Sequence, residues 1–451
     1  MMPDLLVLLI QIGVILAAAR AIGYLFRKLH QPQVMGEMVA GILLGPSLLG
    51  WLAPRLSGAL FPPESLGFLS ALSQFGLLLF MFLVGLELDP KILRGRTHTA
   101  VVVSHASIIA PFFLGAILAL FLYPRLSNDS VAFTHFALFM GTAMSITAFP
   151  VLARILSERN MLRTPLGAVA ITTAAVDDVT GWIILAVVVL LVRSSEAVLP
   201  FWVTIVGLLV YLLVMFYPAR WVLERLNRYT KRKGHITQNV LAIMLLFVLL
   251  SAWATEWLGI HALFGAFLAG AVMPKSNMFV HGLAERLNDL AVVLLLPIFF
   301  AFTGLRASIG LVNGIEMWFF TILIVFVAIL GKFGGSSLAA RWSGLPWREA
   351  NALGVLMNTR GLMELVLLNI GLELGVLSPA LFTMMVIMAV STTFLTAPLL
   401  EWVYFSRALP KAYPAAAVDP EVEAVIPQDS ILDEVLVTGG DLEEPVAPGT
   451  S

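Results

Sequence analysis

Residues 164–192 read TPLGAVAITTAAVDDVTGWIILAVVVLLV, an apolar run that carries two adjacent aspartates, Asp177 and Asp178, near its middle. The run is long enough to cross the hydrocarbon core of a bilayer, which needs about 20 residues. A carboxylate at that depth costs roughly 2.5 to 3.5 kcal/mol, so it is retained where protons or cations reach it from a water-filled cavity. The alternative is a purely structural ion pair inside a helix bundle. The acid pair therefore predicts an ion-binding site within a membrane helix.

The composition indicates a polytopic membrane protein. Hydrophobic residues make up 59% of the 451 residues and charged residues only 12%, whereas soluble globular domains carry about 25% charged residues. The net charge of −1, with nothing that resembles a basic recognition patch, argues against nucleic acid as a partner. The chain has no cysteine, which excludes disulfides, thiolate metal sites and cysteine nucleophiles. We predict an all-α membrane protein embedded in a lipid bilayer.

Thirteen apolar segments of about the length of a membrane span follow one another along the chain. They are residues 4–25, 33–51, 67–87, 98–122, 132–156, 165–192, 199–219, 238–258, 260–274, 289–305, 316–340, 350–373 and 378–405. Residues 1–406 are therefore predicted to form one transmembrane domain of about 13 helices. Residues 407–451 change to Pro, Ala and acid. This acidic tail is predicted to be disordered because it has too few large apolar side chains to offset the entropy of ordering.

The distribution of Lys and Arg predicts the orientation in the membrane. The odd-numbered connections are rich in basic residues, above all residues 220–233, whereas the even-numbered connections hold four. Cytoplasmic loops carry such an excess in membrane proteins. The N-terminus is therefore predicted to lie outside and the C-terminal tail in the cytoplasm, with the chain in the cell inner membrane or plasma membrane.

Two basic residues, Lys332 and Arg360, lie well inside predicted spans. A buried ammonium needs a counter-charge, so Lys332 is expected to pair with one of the two aspartates; the alternative is that it extends to the membrane interface. Glu364 follows Arg360 at the i,i+4 spacing of an intrahelical ion pair. We expect that pair to be mainly structural and to support an interrupted helix.

The fifth span contains a stretch of small and hydroxyl residues, 141–150 (GTAMSITAFP). Ser145 and Thr147 precede Pro150, which removes a backbone donor and frees a carbonyl of the preceding turn. The stretch therefore predicts a broken helix whose free carbonyls and hydroxyls face a cation. The alternative is a proline kink that only shapes packing.

The twelfth span has a comparable weak point at residues 356–361 (LMNTRG), where Asn358 and Thr359 precede Arg360. The two weak points lie at matching places, each one helix before the end of its half of the chain. Paired interrupted helices of this kind point to a midplane binding site between inverted repeats.

The ordered set of motifs resembles a known family. Residues 36–50 (GEMVAGILLGPSLLG), residues 82–89 (FLVGLELD) and the adjacent aspartates are similar to those of the monovalent cation:proton antiporter 2 family, which includes Kef-type and Nap-type bacterial antiporters and plant cation/proton exchangers. The resemblance covers residues 1 to about 406. It implies a thirteen-helix fold with a core domain of two crossed discontinuous helices and a dimerisation domain, and hence a homodimer. Family members exchange Na⁺ or K⁺ for protons by moving the core against the dimer scaffold.

The resemblance also implies roles for individual residues. Asp178 matches the essential cation and proton carrier, and Thr147 matches a threonine of the unwound helix near the ion. Asp177 matches the acid that pairs with a core lysine, which Lys332 matches. Relatives with an amide in place of the first acid tend to be electroneutral, so the acid pair implies electrogenic exchange.

The predicted function is secondary active antiport of Na⁺ or K⁺ against protons by alternating access, with no cofactor besides the transported ions. Asp177 and Asp178 would hold the monovalent cation. A buried carboxylate that binds a proton or a cation, but not both, couples the two gradients. The alternative is a proton-coupled solute symporter or a cation channel on the same scaffold. An enzyme is not expected, because the sequence shows no catalytic constellation.

Overall fold

A computed structural model describes residues 5–29, 31–87, 98–127, 131–159, 161, 164–193 and 201–405. Within these ranges the chain is helical and contains no β-strand. The predicted acidic tail, residues 407–451, and residues 88–89 of the second motif lie outside the described residues. The first ten helices are α1 (Leu5–Lys28), α2 (Gln33–Leu44), α3 (Leu49–Leu52), α4 (Pro54–Leu60), α5 (Pro63–Glu87), α6 (His98–Leu126), α7 (Phe133–Ser145), α8 (Phe149–Glu158), α9 (Pro165–Arg193) and α10 (Phe201–Val214).

The second half of the chain continues the helical pattern. Its helices are α11 (Arg220–Lys233), α12 (Gln238–Trp257), α13 (Ala262–Ala271), α14 (Asn277–Asn288), α15 (Leu296–Arg306), α16 (Gly314–Ile329), α17 (Gly335–Trp342), α18 (Trp347–Met357), α19 (Leu362–Glu373) and α20 (Pro379–Leu400). Wider π-helical turns join α10 to α11 (Met215–Ala219), α14 to α15 (Asp289–Leu295) and α16 to α17 (Leu330–Gly334). A fourth such turn, Glu401–Phe405, extends α20. Such turns let a helix continue while they change the direction of its side chains.

Each of the thirteen apolar segments of the sequence overlaps a helix or a helix pair. Among the described residues, ten helices are long and apolar enough to cross a membrane, and α18 with α19, bent by 42°, makes an eleventh when counted as one span. Segment 260–274 is the short helix α13, and segment 132–156 is the pair α7 and α8. The chain is a multi-pass membrane protein, as predicted. The count of thirteen crossings stays a prediction.

The helices pack as two groups. In the first, which we call the scaffold group, α2 packs on α1 and α15, and α5 packs on α13 and α15, with α12 against α13. In the second, the core group, α6 packs on α7, α9, α16 and α17. Helix α18 packs on α9, α19 packs on α7, and α20 packs on α16, α18 and α19. Helix α2 also touches α20 across the boundary between the groups. All the buried charged residues singled out in the sequence lie in the core group; a dimer through the scaffold group stays a prediction.

Both predicted helix breaks are present in the core group. Helix α7 ends at Ser145 and α8 begins at Phe149, with residues 146–148 outside either helix. Helix α18 ends at Met357 and α19 begins at Leu362. The first break thus lies just before Pro150, at the second position of α8, where a proline ring is tolerated because no helical donor is required of it.

Candidate ion-binding site

The two helix breaks are bonded to each other. The backbone N–H of Ala148 donates to the carbonyl of Thr359 at 3.0 Å, so an orphan donor of one break meets an orphan acceptor of the other. The hydroxyl of Thr359 donates to the carbonyl of Leu356 at 2.8 Å. The preceding residue, Asn358, is also buried. The breaks therefore form one irregular backbone region inside the protein, which is the environment that non-helical backbone requires at membrane depth.

Arg360 holds this region together. Its Nη1 donates to the carbonyl of Ala143 at 2.7 Å and to Glu364 Oε2 at 2.8 Å, and its Nη2 donates to the carbonyl of Met144 at 2.7 Å. Both side chains of the Arg360–Glu364 pair are fully buried. The guanidinium thus binds the last carbonyls of α7, where a positive charge is favoured by the helix dipole. The predicted ion pair is present, but it is not intrahelical, because Arg360 lies in the break and only Glu364 lies in α19. The guanidinium additionally connects the two broken helices.

Asp177 is the centre of a buried hydrogen-bond cluster. Its Oδ2 accepts from Ser107 Oγ at 2.5 Å and from Thr147 Oγ1 at 2.9 Å, and Lys332 Nζ lies 3.3 Å away. Lys332 Nζ also donates to Thr147 Oγ1 at 2.5 Å. These groups come from α6, the first break, α9 and the π-helical turn Leu330–Gly334. The lysine is fully buried and does not extend to the membrane interface.

Asp178 is buried next to this cluster but is bonded differently. The backbone amide of Phe149, the first residue of α8, interacts with its carboxylate. A helix N-terminus carries a partial positive charge, so α8 stabilises a negative charge at this position. One oxygen of each aspartate, Asp177 Oδ1 and Asp178 Oδ1, is buried without a hydrogen-bond partner, as is Asn358 Oδ1. Unmet oxygen acceptors of this kind are suited to hard cations and to protons.

The structure places the remaining predicted site residues as follows. The hydroxyl of Ser145 donates to the carbonyl of Thr142 at 2.9 Å, so it bonds within its own helix. Pro150 lies in the first turn of α8. Ser107, which contacts Asp177, was not predicted from the sequence. Ser104 and Ser107 lie one turn apart in a mostly apolar span, which marks them as polar residues at membrane depth but does not indicate the partner of Ser107.

Comparison with known proteins identifies the family of this chain. The sequence profile described as "Sodium/hydrogen exchanger, transmembrane" matches residues 14–404. The chain belongs to the sodium/hydrogen exchanger family. It is 45% identical over 401 residues to the Na⁺/H⁺ antiporter NhaS4 of Synechocystis sp. (strain PCC 6803), a match that covers 89% of this chain and 98% of that protein. The predicted kinship with cation:proton antiporters is confirmed.

More distant relatives of this exchanger family are longer proteins. The chain is 40% identical to cation/H⁺ antiporter 17 of Arabidopsis thaliana and 34% identical to K⁺/H⁺ antiporter 1 of Saccharomyces cerevisiae. Each match covers 88% of this chain but only 48% and 46% of the relative, so the chain spans about half the length of these two proteins. The solved structure of the sodium proton antiporter MjNhaP1 from Methanocaldococcus jannaschii matches the fold with a TM-score of 0.62 at 14% identity, over 86% of this chain and 97% of that one.

The charges in the exchanger's buried site do not balance. When all are ionised, Asp177, Asp178 and Glu364 carry three negative charges, against two positive charges on Lys332 and Arg360, and all five side chains are buried. The salt bridges join Lys332 to Asp177 and Arg360 to Glu364. Asp178 is therefore the remaining negative charge, which one proton or one monovalent cation would neutralise.

Proposed function

We propose that this chain is a secondary antiporter that exchanges a monovalent cation, Na⁺ or K⁺, for protons. The observation that carries the proposal is the buried Asp177–Asp178 pair at the meeting point of two interrupted helices, with Lys332 bonded to only one of the two acids. Relatives named Na⁺/H⁺ antiporter and K⁺/H⁺ antiporter support the same reaction class. The chain is thus a transporter rather than an enzyme.

Competition between the proton and the cation for one binding site couples the transport of the two ions. A buried carboxylate that lacks a fixed cationic partner is stabilised by a proton or by a cation, and occupancy by one excludes the other. Asp178 has this character, whereas Asp177 is held by Lys332, Thr147 and Ser107. If the empty site cannot change the side to which it opens, each cycle must carry protons one way and a cation the other.

Further features of the proposal rest on the sequence and on family resemblance. We place the protein in the inner or plasma membrane, with the N-terminus outside and the acidic tail in the cytoplasm, as the distribution of basic residues indicates. We expect a homodimer, and electrogenic exchange because both acids of the pair are present.

The decisive experiment is ion flux in proteoliposomes that contain a pH-sensitive dye. An inward gradient of Na⁺, K⁺ or Li⁺ is imposed in separate samples, with Asp178→Asn protein as the matched control. An antiporter moves protons out as the cation enters, so the lumen becomes alkaline. Acidification of the lumen with cation entry would indicate a symporter, and cation entry that is unaffected by proton supply would indicate a channel. Either result contradicts the proposal.

A further inference from the structure

The scaffold and core groups are joined by a polar cluster where α15 meets α19. Arg306 Nη1 donates to Asn369 Oδ1 at 3.1 Å and to Glu373 Oε1 at 3.0 Å. Asn369 Nδ2 donates to Thr303 Oγ1 at 2.8 Å. Thr303 and Arg306 belong to the scaffold helix α15, and Asn369 and Glu373 belong to the core helix α19. We call these four residues the α15–α19 latch.

The inner half of the latch is a buried polar contact, whereas the outer half, Arg306 and Glu373, is partly exposed. Thr303 and Asn369 are buried, with exposed fractions of 1% and 8%. The second hydrogen of the Asn369 amide donates to the carbonyl of Leu365 at 2.9 Å, so donors and acceptor of this side chain all have partners. Arg306 also lies over the ring of Phe302, 4.4 Å from its centroid. Replacing a buried polar contact with apolar side chains of similar volume is often neutral for folding, so a contact of this kind is suited to fixing the relative position of two helices.

The position of the latch connects it to the ion-binding site. Helix α19 is the second half of the interrupted helix, and Arg360, two residues before its start, binds the end of α7. Displacement of α19 would therefore displace the region around the aspartates. On the other side, α15 is tightly packed on α2: a Cβ on Gly304 would lie 2.2 Å from the backbone of Gly41. The scaffold end of the latch is rigidly held, so relative movement of the two groups must break its hydrogen bonds.

We propose that Thr303, Arg306, Asn369 and Glu373 form a gate that closes one end of the boundary between the scaffold and core groups, and that opens and closes once in each exchange cycle. This inference rests on the proposed exchange function. In this structure the latch is closed. Arg306 and Asn369 are then positioning residues, which set the balance between the two accessible states of the site and do not contact the ion.

Reversible cross-linking tests the inference directly, because the natural chain has no cysteine that would interfere. Thr303→Cys with Asn369→Cys places two thiols across the boundary, and Arg306→Cys with Glu373→Cys is a second, more exposed pair. The matched control is Gln11→Cys with Ser65→Cys, two residues of the scaffold group whose side chains are 2.7 Å apart. Each purified variant is reconstituted and treated with Hg²⁺, which bridges neighbouring thiols, and bridging is verified by mass spectrometry.

We expect bridging across the latch to abolish exchange, dithiothreitol to restore it, and the bridged control pair to remain active. Continued exchange by a bridged latch pair would overturn the inference, as would equal loss of activity in the single-cysteine variants. Wild-type flux measured alongside separates the two proposals: its absence would contradict the exchange function, whereas its presence with an active bridged latch would contradict only the gate.

A second measurement distinguishes a gate from a merely structural contact. Asn369→Ala removes the bonds to Thr303 and Arg306, which cross the boundary in the closed state, so it shifts the population towards the opposite state. The bond to Leu365 lies within α19 and is lost equally in both states. The apparent KM for the cation should then fall on one face of the membrane and rise on the other, and Asn369→Asp, which still accepts from Arg306, should restore part of the difference. Equal changes on both faces would contradict the gate.

Discussion

The backbone N–H of Ala148 lies 3.0 Å from the carbonyl oxygen of Thr359, so the two interrupted helices are joined at their breaks by main-chain hydrogen bonding. Arg360 strengthens this junction through the carbonyls of Ala143 and Met144. The polypeptide around the aspartates is consequently a single connected unit, and substitutions at either break are expected to affect the ion site as a whole.

Asp178→Asn should abolish exchange while the protein remains folded. The amide has nearly the same size as the carboxylic acid but cannot release a proton, and it removes the uncompensated charge of the site. Proton flux in liposomes measures the loss, and thermal unfolding in detergent checks the fold. Asp289→Asn, at an exposed position, is the matched control and should transport normally. Full proton-coupled transport by Asp178→Asn would refute the assignment of the carrier.

Lys332→Ala should strongly destabilise the protein, because it leaves Asp177 buried without its cation. Breaking one side of a buried pair costs about 3 to 5 kcal/mol. The double variant Asp177→Asn with Lys332→Gln should recover much of that loss, since no charge is then left unpaired. Unfolding of the wild type, Asp177→Asn, Lys332→Gln and the double variant measures the coupling energy. Strictly additive effects would show that the two residues do not stabilise each other.

Ser107→Ala should destabilise the Asp177 cluster by about 1.5 to 3 kcal/mol, the usual contribution of a hydrogen bond to a charged group. Its hydroxyl has one proton, and the carboxylate of Asp177 is a stronger acceptor than the nearby carbonyl of Ser104. Ser104→Ala is a close control, because Ser104 Oγ is buried without a hydrogen-bond partner. Its replacement should be neutral or stabilising in the same unfolding assay. Equal effects of the two substitutions would argue against the Asp177 contact.

Arg360→Lys should reduce both stability and exchange although it conserves the charge. A lysine ammonium cannot reproduce the planar fork that reaches Ala143, Met144 and Glu364 together. Each buried carbonyl left without a donor costs about 1 to 3 kcal/mol. Melting temperature and liposome flux measure the two effects. Arg341→Lys, at an exposed position, provides the comparison and should behave as wild type.

Na⁺-driven proton flux should respond to membrane potential. If both aspartates release protons when one cation binds, each cycle moves a net charge, worth about 2.3 kcal/mol per 100 mV. Collapsing the potential with valinomycin and equal K⁺ should change the rate or the endpoint of the flux. If Asp177 instead stays bound to Lys332 throughout, exchange is one-for-one and voltage has no effect. That outcome would remove electrogenic exchange and leave the antiporter assignment intact.

Much of the fold was predictable because its determinants are local in the chain. Hydropathy marks the spans, since every membrane helix must satisfy its own backbone hydrogen bonds in lipid. Proline and small polar residues mark the break before Pro150, and the MNTRG stretch marks the break before Leu362. The i,i+4 spacing of Arg360 and Glu364 predicted their ion pair, although Arg360 lies in the break before α19 and not in the helix itself.

The contacts that complete the site depend on helices that are distant in sequence. Nothing local indicates that Ser107 of α6 reaches α9, that Arg360 binds the end of α7, or that Ser145 bonds within its own helix. Arg306 likewise shows no sequence signal that would connect it to Asn369, 63 positions later. Such contacts follow from how helices are rotated and packed against one another, and a single sequence does not encode that rotation in any short pattern.

The aspartate pair shows which properties of the site follow from the sequence and which depend on the tertiary structure. From the residues themselves it followed that two adjacent acids lie deep in a membrane helix and that Lys332 needs one of them as its counter-charge; only the resemblance to a family pointed to Asp177. Neighbouring residues on an α-helix project about 100° apart, so Asp177 and Asp178 point in different directions. The rotation of α9 relative to α6 and to the π-helical turn that carries Lys332 directs Asp177 towards the lysine. Asp178 then lies next to the start of α8. The sequence thus determines that the pair can bind protons or cations, whereas tertiary packing determines that Asp177 pairs with Lys332 and that Asp178 remains without a fixed cationic partner.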